Sequence, residues 1–468
     1  MAAYDLAVIG GGPGGYVAAI RAAQLGLRPV LFEKDRIGGL CLNWGCIPTK
    51  ALLKNADAVA TVRSAARWGI TVHDPSYDLG LAVDRSRTVV DQLVRGVEGL
   101  LKDHNVTVIV GTAGFKDPHT LTAADNTYET GATIIATGAS TRMLPGVAVG
   151  GPVITSREAL ELRTTPRRAV IVGAGPVGVE FAHLWATYGA EVTVVEMLDT
   201  LLPLEDVDTG RALGRSFRER GITCLTGARV ESVRVRDGEA EVVVSRAGAE
   251  QTVQADCVLI AVGFVPHTSS LNLEGVGVRT ERGFVTIDDH METNVRGIYA
   301  VGDVTGKLML AHVASQQGVI AAEHIAGRPV AALDYIQMPR ATFSQPQVGS
   351  VGYTEAGAKE AGFAVKTGRF PFGALGRAIA SGHTEGFVKI VADEKTGQVL
   401  GIHLVGHDVN DLLGEAALAT LLEVTTVELG FAVHAHPTLA EAIKEAALAV
   451  DGEAIHMARR RAGQGTAT

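Results

Sequence analysis

Residues 4 to 34 read YDLAVIGGGPGGYVAAIRAAQLGLRPVLFEK. An apolar run of strand length gives way to clustered glycines, then to an Ala-rich stretch of helical character, then to a second apolar run ending at Glu33. This ordering predicts strand, tight turn, helix and strand. The same order returns at 168–197 as RAVIVGAGPVGVEFAHLWATYGAEVTVVEM. A further helix is predicted over TKALLKNADAVATVRSAA, with Pro48 suited to its first turn. GITCLTG and ADCVLIAVG read as strands that bury Cys224 and Cys257 as inert thiols. No window approaches the roughly 18 apolar residues needed to cross a bilayer.

The glycines carry chemistry. Gly10, Gly12 and Gly15 form G-x-G-x-x-G, as do Gly173, Gly175 and Gly178, and each set is followed by an acid, Glu33 or Glu196. From first glycine to acid is 23 residues in both copies (10 to 33, 173 to 196). Such a turn lets backbone N–H groups reach a pyrophosphate at a helix N-terminus, while the acid accepts hydrogen bonds from a ribose. Shared context at shared spacing implies two bound dinucleotides.

Composition narrows the partners. At 468 residues the chain exceeds one core and suggests about three domains. Its net charge of −9 leaves no electrostatic footprint for nucleic acid. The one basic run, ARRRAG at 458–463, reads as a solvated tail. MAAYDLAVIGGG runs directly into a strand pattern with no basic start or cleavage site, which points to the cytoplasm. There a close cysteine pair is more often catalytic than structural. CLNWGCIPTK, residues 41–50, holds such a pair, with four residues between Cys41 and Cys46. There is no second Cys pair and no nearby His at ligand spacing, so no metal site is expected.

Electron transfer is the reading left, and it needs a partner. Two dinucleotides beside a thiol pair suggest one flavin and one nicotinamide. Cys41 lies eight residues after Glu33, which assigns the flavin to the first unit and the nicotinamide to the second. A 2′-phosphate at about 4 Å from Glu196 would be repelled by roughly 4 kcal/mol per charge pair at an effective dielectric near 20. No Lys or Arg follows in EMLDT, so NAD is expected rather than NADP. Cys46 falls at a predicted helix N-terminus, where the dipole stabilises a thiolate.

With GGLCLNWGCIPTK, both glycine fingerprints, ATGA (136–139), IYAVGDV (298–304), TEGFVKIVADEKTGQVLGIHLVGHDVNDLLGEAAL and HAHPTLAEA (434–442), nearly the whole chain resembles the flavoprotein disulfide reductases. The resemblance is strongest to the dihydrolipoamide dehydrogenases. It implies an α/β chain with two Rossmann-like dinucleotide-binding domains, the NAD domain inserted in the FAD domain, and an α+β C-terminal dimerisation domain. The expected boundaries are 1–145 for the first FAD part, 146–268 for NAD, 269–338 for the return to the FAD site and 339–468 for the interface domain. It also implies a homodimer with shared active sites. The partners would be lipoyl domains and the E2 core of 2-oxoacid dehydrogenase complexes, or the glycine-cleavage H protein.

Residue roles follow by match to the family's motifs. Cys46 is the sulfur beside the flavin and Cys41 the one that exchanges with substrate. His436 is the base serving the other subunit's thiols, and Glu441 orients it. Lys50 contacts the flavin near its reacting nitrogen and pairs with Glu180. Thr137 and Gly138 lie in the ATGA turn, and Asp303 binds the ribitol. His434 is expected to be structural, and His312 structural or near the flavin. The chain departs from the family at Leu40, Trp44 and Thr49 around the cysteines, at Phe264 and His267, and at Gln345 and Gln347. Glutathione reductases typically place arginines by the 2′-phosphate, and mercuric and large thioredoxin reductases use further redox residues near a terminus; neither feature is present here.

Overall fold

The structure, a computed structural model, describes residues 2–458, so the basic run lies outside the described residues from Arg459 onward. Its first module is built on β1 (Ala2–Ile9), α1 (Pro13–Gln24) and β2 (Pro29–Glu33). Then come α2 (Gly39–Trp44), α3 (Cys46–Arg63), α4 (Leu79–Asp103) and strands β3 (Thr107–Val110), β4 (Gly114–Asp117), β5 (Thr120–Ala123) and β6 (Asn126–Ile135). The sheet runs β3-β2-β1-β6-β5-β4. β1 pairs in parallel with both β2 and β6, as a strand–helix–strand crossover requires. Leu6, Ala7 and Val8 are buried on both faces of the sheet, which explains an apolar run without alternation.

After β7 (Ala139–Thr141) the chain enters a second module: β8 (Val153–Ile154), α5 (Ser156–Ala159), β9 (Arg168–Val172), α6 (Pro176–Thr187), β10 (Glu191–Val195), α7 (Val207–Glu219) and β11 (Thr223–Leu225). An antiparallel flap of β12 (Ala228–Arg236), β13 (Glu239–Arg246) and β14 (Ala249–Ala255) precedes β15 (Cys257–Ile260). The parallel sheet runs β11-β10-β9-β15-β8. Cys257 is buried and Cys224 half-buried, and burial pushes their thiols up to about 12 and about 11, so both stay protonated.

The chain returns through β16 (Phe264–Pro266), which pairs with β7. Strands β17 (Thr280–Glu281) and β18 (Phe284–Val285) form a small hairpin. Then β19 (Ile298–Ala300) joins the first sheet beside β6, and α8 (Ala311–Ile325) packs on α1. The departures Phe264 and His267 therefore lie at the connection between modules. The His267 main chain is bonded on both sides there: Thr137 Oγ1 donates to its carbonyl at 2.7 Å, and its N–H donates to the Gly138 carbonyl at 3.0 Å. The His267 ring is half-buried there and adds a hydrogen bond of its own to the Thr137 backbone.

The C-terminal module is an antiparallel sheet of β20 (Arg340–Thr342), β21 (Gln347–Gly352), β22 (Val365–Pro371), β23 (Phe387–Asp393) and β24 (Val399–Gly406). Its helices are α9 (Glu355–Glu360), α10 (Gly376–Ser381), α11 (Leu413–Leu421), α12 (Thr426–Phe431) and α13 (Glu441–Val450). The buried side chains are not partitioned by module: one cluster joins Leu52 of the first, Trp185 of the second and Phe387 of the third. Leu418, Leu421, Leu422, Val427, Phe431 and Val433 remain exposed on this module, an apolar concentration that marks an interaction face.

Candidate active site

The two glycine turns are near copies. Gly10 and Gly173 have φ of +109° and +105°, a region open to glycine. A methyl group on Gly15 would lie 1.8 Å from the Gly10 carbonyl oxygen, and one on Gly178 would lie 2.0 Å from that of Gly173. The third glycine of each set is therefore required by helix–strand packing. Glu33 accepts from the Gly11 N–H at 2.7 Å and the Asp35 N–H at 2.8 Å. Glu196 repeats this with Ala174 at 2.8 Å and Leu198 at 2.9 Å. Both carboxylates are thus aimed by backbone at the mouth of a helix and keep lone pairs for ribose hydroxyls.

Both helices begin with proline after an extended glycine, with no side-chain cap on the first N–H groups. The space ahead of them is open. A methyl group on Gly175 would meet nothing within 4 Å, and one on Gly12 would meet the Gly39 Cα at 3.9 Å. Uncapped donors facing open space suit a pyrophosphate. Asp303 extends the first site. Its carboxylate takes no hydrogen bond among the described residues, and burial pushes it up to about 6. A partly buried acid lacking protein partners fits a ligand rich in hydroxyl groups. Both sites therefore match the chemistry of dinucleotides, the first with a polyol arm.

The cysteine turn docks on the first glycine loop. The Gly38 N–H donates to the Gly11 carbonyl at 2.8 Å, and a methyl group on Gly39 would come within 2.8 Å of the Gly12 Cα. Gly38 and Gly39 both have positive φ, which lets the chain fold back before α2. Asn43 ties the turn internally, donating to the Ile37 and Gly39 carbonyls at 3.0 Å each. Trp44 finds a partner too: the Arg157 guanidinium stacks 3.9 Å from its ring centre.

α3 begins at Cys46 itself, so this sulfur lies at the positive end of an 18-residue helix. The two cysteines are unbonded thiols that share a hydrogen bond. Donation from Cys41 lowers Cys46 to about 7, aided by the Lys50 charge and opposed by burial and by Glu180. The same bond, with burial, drives Cys41 far above the usual thiol range. Cys46 is the thiolate of the pair and Cys41 its proton donor. Lys50 Nζ sits 2.8 and 2.9 Å from the two oxygens of Glu180, which is 5% exposed and also accepts the Phe343 N–H at 2.9 Å. Lys50 lies 4.7 Å from the Phe343 ring centre as well. The Phe343 contact had no signal in the sequence, because it joins positions 163 residues apart.

His436 lies in the C-terminal module, apart from the cysteines along the fold. Its Nδ1 is 2.8 Å from Glu441 Oε1, while Glu441 Oε2 accepts the Thr438 N–H at 2.8 Å. Partial burial opposes ionisation of Glu441, but the Thr438 N–H and His436 hold it below the usual carboxylate range. A carboxylate only accepts, so Nδ1 carries the ring proton and Nε2 is left basic. The imidazole is 77% exposed, beside the apolar face of Phe431 and Val433. His434 instead bonds Glu415 at 2.7 Å and is nearly buried, and His312 bonds the Pro339 carbonyl at 2.8 Å. Gln347 accepts the Asn410 N–H, and Gln345 lies 3.4 Å from His407.

Residues 4–318 match the pyridine nucleotide-disulphide oxidoreductase family, and residues 338–447 match that family's dimerisation domain. The chain is 47% identical over 456 residues to a dihydrolipoyl dehydrogenase of Mycobacterium leprae, covering 95% of this chain and 97% of the relative. It is 41% identical over 469 residues to one of Bacillus subtilis, covering 97% and 99%. Among solved structures it resembles LpdA from Mycobacterium tuberculosis, with TM-score 0.88, 31% identity and coverage of 96% and 99%. It also resembles the HOCl-induced flavoprotein disulfide reductase RclA from Escherichia coli, with TM-score 0.85, 29% identity and coverage of 95% and 99%. The chain belongs to the pyridine nucleotide-disulphide oxidoreductase family.

Proposed function

We propose that this pyridine nucleotide-disulphide oxidoreductase oxidises protein-bound dihydrolipoyl groups to lipoyl groups and reduces NAD+ to NADH, through Cys41, Cys46 and FAD. The full-length likeness to curated dihydrolipoyl dehydrogenases supports this reading. The single observation that carries it is the asymmetric cysteine pair, with a thiolate at Cys46 held between a helix N-terminus, Lys50 and the Cys41 S–H.

Catalysis begins with the pair as a disulfide. A substrate thiol, its proton passed by Nε2 of His436 of the partner subunit to solvent, attacks Cys41 as thiolate, forming a mixed disulfide and releasing Cys46 as thiolate. Nε2 of His436 of the partner subunit takes the proton of the second substrate thiol. That sulfur attacks the substrate sulfur bound to Cys41, closes the lipoyl ring and expels Cys41, which receives the proton back. Cys41 then donates to Cys46, and Lys50 balances the thiolate charge. When bound, FAD would supply the two-electron chemistry that links the dithiol to NAD+. Gly10, Gly12, Gly15, Glu33, Thr137, Gly138 and Asp303 would hold FAD; Gly173, Gly175, Gly178 and Glu196 would hold NAD, with Glu180 linking the sites through Lys50.

The dimerisation domain and the exposed apolar face around His436 support a homodimer with shared sites. Its partners are lipoyl domains and the E2 core of 2-oxoacid dehydrogenase complexes, or the glycine-cleavage H protein. Its compartment is the cytoplasm; among the described residues no helix is long and apolar enough to cross a membrane. Anaerobic reduction of the holoenzyme with NADH should give a long-wavelength absorption band that Cys46→Ser abolishes. A wild-type enzyme without that band would refute the proposed thiol path.

A further inference from the structure

The C-terminal sheet buries a lysine that the redox path does not use. Lys389, on β23, is 3% exposed, and its Nζ lies 3.0 Å from Asp206 Oδ1, 2.8 Å from Asp208 Oδ2 and 2.9 Å from Glu355 Oε2. Three N–H donors meet three carboxylates, the arrangement a buried ammonium needs. Burial alone would lower its pKa, and the three acids more than offset that. Glu355 comes from α9 of the dimerisation domain. Asp206 and Asp208 come from the start of α7 in the second nucleotide module, where Asp206 is the helix cap.

Further bonds converge on Asp206 and its neighbour Glu205. The Glu355 N–H donates to Asp206 Oδ2 at 3.1 Å, Ser350 donates its hydroxyl proton to Glu205, and Arg340 Nε is 3.6 Å from Glu205. Segment 196–206 begins at Glu196, the ribose acid, and ends in this cluster. Midway the Leu202 N–H donates to the Ala174 carbonyl of the glycine turn at 2.9 Å, with Leu201 and Leu202 buried. One side of the dinucleotide mouth is thus a strap, anchored by its own module at one end and by the dimerisation domain at the other.

We infer that Lys389 is a positioning residue for the second dinucleotide. By fixing Asp206 from outside the nucleotide module, it holds segment 196–206 against the glycine turn in the shape that receives the nicotinamide nucleotide. This inference rests on reading the second site as the NAD site. A merely structural tie would change stability and leave affinity alone.

The test is NADH binding to the reduced holoenzyme, followed by fluorescence titration, with steady-state KM for NAD+ alongside. Lys389→Met should weaken NADH binding about tenfold and raise KM in proportion, while the anaerobic reduction of bound flavin by dihydrolipoamide keeps its wild-type rate. Should that variant not fold, Asp208→Asn and Glu355→Gln, at partly exposed positions, should each weaken NADH binding about threefold. Variants that bind NADH as wild type does, whatever their melting temperature, would overturn the inference. Wild-type enzyme that binds no NADH, or whose flavin dihydrolipoamide does not reduce, would instead overturn the functional reading beneath it.

Discussion

Lys50→Met is the most informative change in the site. It removes the ammonium that faces Glu180 at 2.8 and 2.9 Å, leaving that buried carboxylate with the Phe343 N–H alone. A fully buried pair broken from one side costs roughly 3–5 kcal/mol; because Lys50 is 32% exposed, about 1–3 kcal/mol is the fitting range. The effect on Cys46 is more specific. Lys50 helps hold that thiol at about 7, and Glu180 pushes it upward. An opposite charge at close range is worth about 1–3 pKa units, and the low end applies to a partly solvated lysine. The thiol midpoint should therefore rise to near ~8. At pH 7 the thiolate fraction falls from about a half to about a tenth, a roughly fivefold loss in alkylation rate. Iodoacetamide kinetics against pH, in a Cys41→Ser background that retains an O–H donor, read this directly. Adding Glu180→Gln should recover part of the shift. A midpoint unchanged or lowered by Lys50→Met would refute the electrostatic account of Cys46.

Three further outcomes are expected. Gly15→Ala should yield protein without bound flavin, whereas Gly178→Ala should stay yellow and lose NADH affinity; the absorbance spectrum and a nucleotide titration decide, and the reverse pattern would exchange the two sites. His436→Gln should lower dihydrolipoamide oxidation by about 10²–10⁴-fold while NADH-dependent dye reduction survives; equal loss of both would make His436 structural. Asp303 has a raised folded-state pKa of about 6, so the stability of its neutral form is present at acid pH and lost as pH rises through 6. Asp303→Asn should therefore stabilise the flavin-free protein by roughly 3 kcal/mol above pH 6, with the gain fading between pH 6 and about 4 in denaturant titrations.

What the sequence discloses is local. The glycine spacings, the acids 23 residues on and the helix starting near Cys46 are all set by short-range backbone geometry, and the structure places each as the pattern implies. The pairing of Lys50 with Glu180 and of His436 with Glu441 was expected only from the family resemblance. No periodicity relates Lys50 to Glu180, 130 residues apart, and none singles out Glu441 five residues after His436, yet both bonds are present. Lys389 escaped notice because its three acids lie 34 to 183 residues away and its own strand reads as uniformly apolar around it. Arg157 on Trp44 was invisible for the same reason. At His267 the main chain and the ring both bond the 137–138 turn, a contact between positions 130 residues apart that the letters do not disclose.

Glu180 belongs to the second module, takes its ammonium from the first and its amide from the third. Loosening the first or the third would strip one of two donors from a negative charge buried among them. Melting should therefore be collective: a single endotherm whose calorimetric and van't Hoff enthalpies agree, in place of the stepwise unfolding that three independent cores would show.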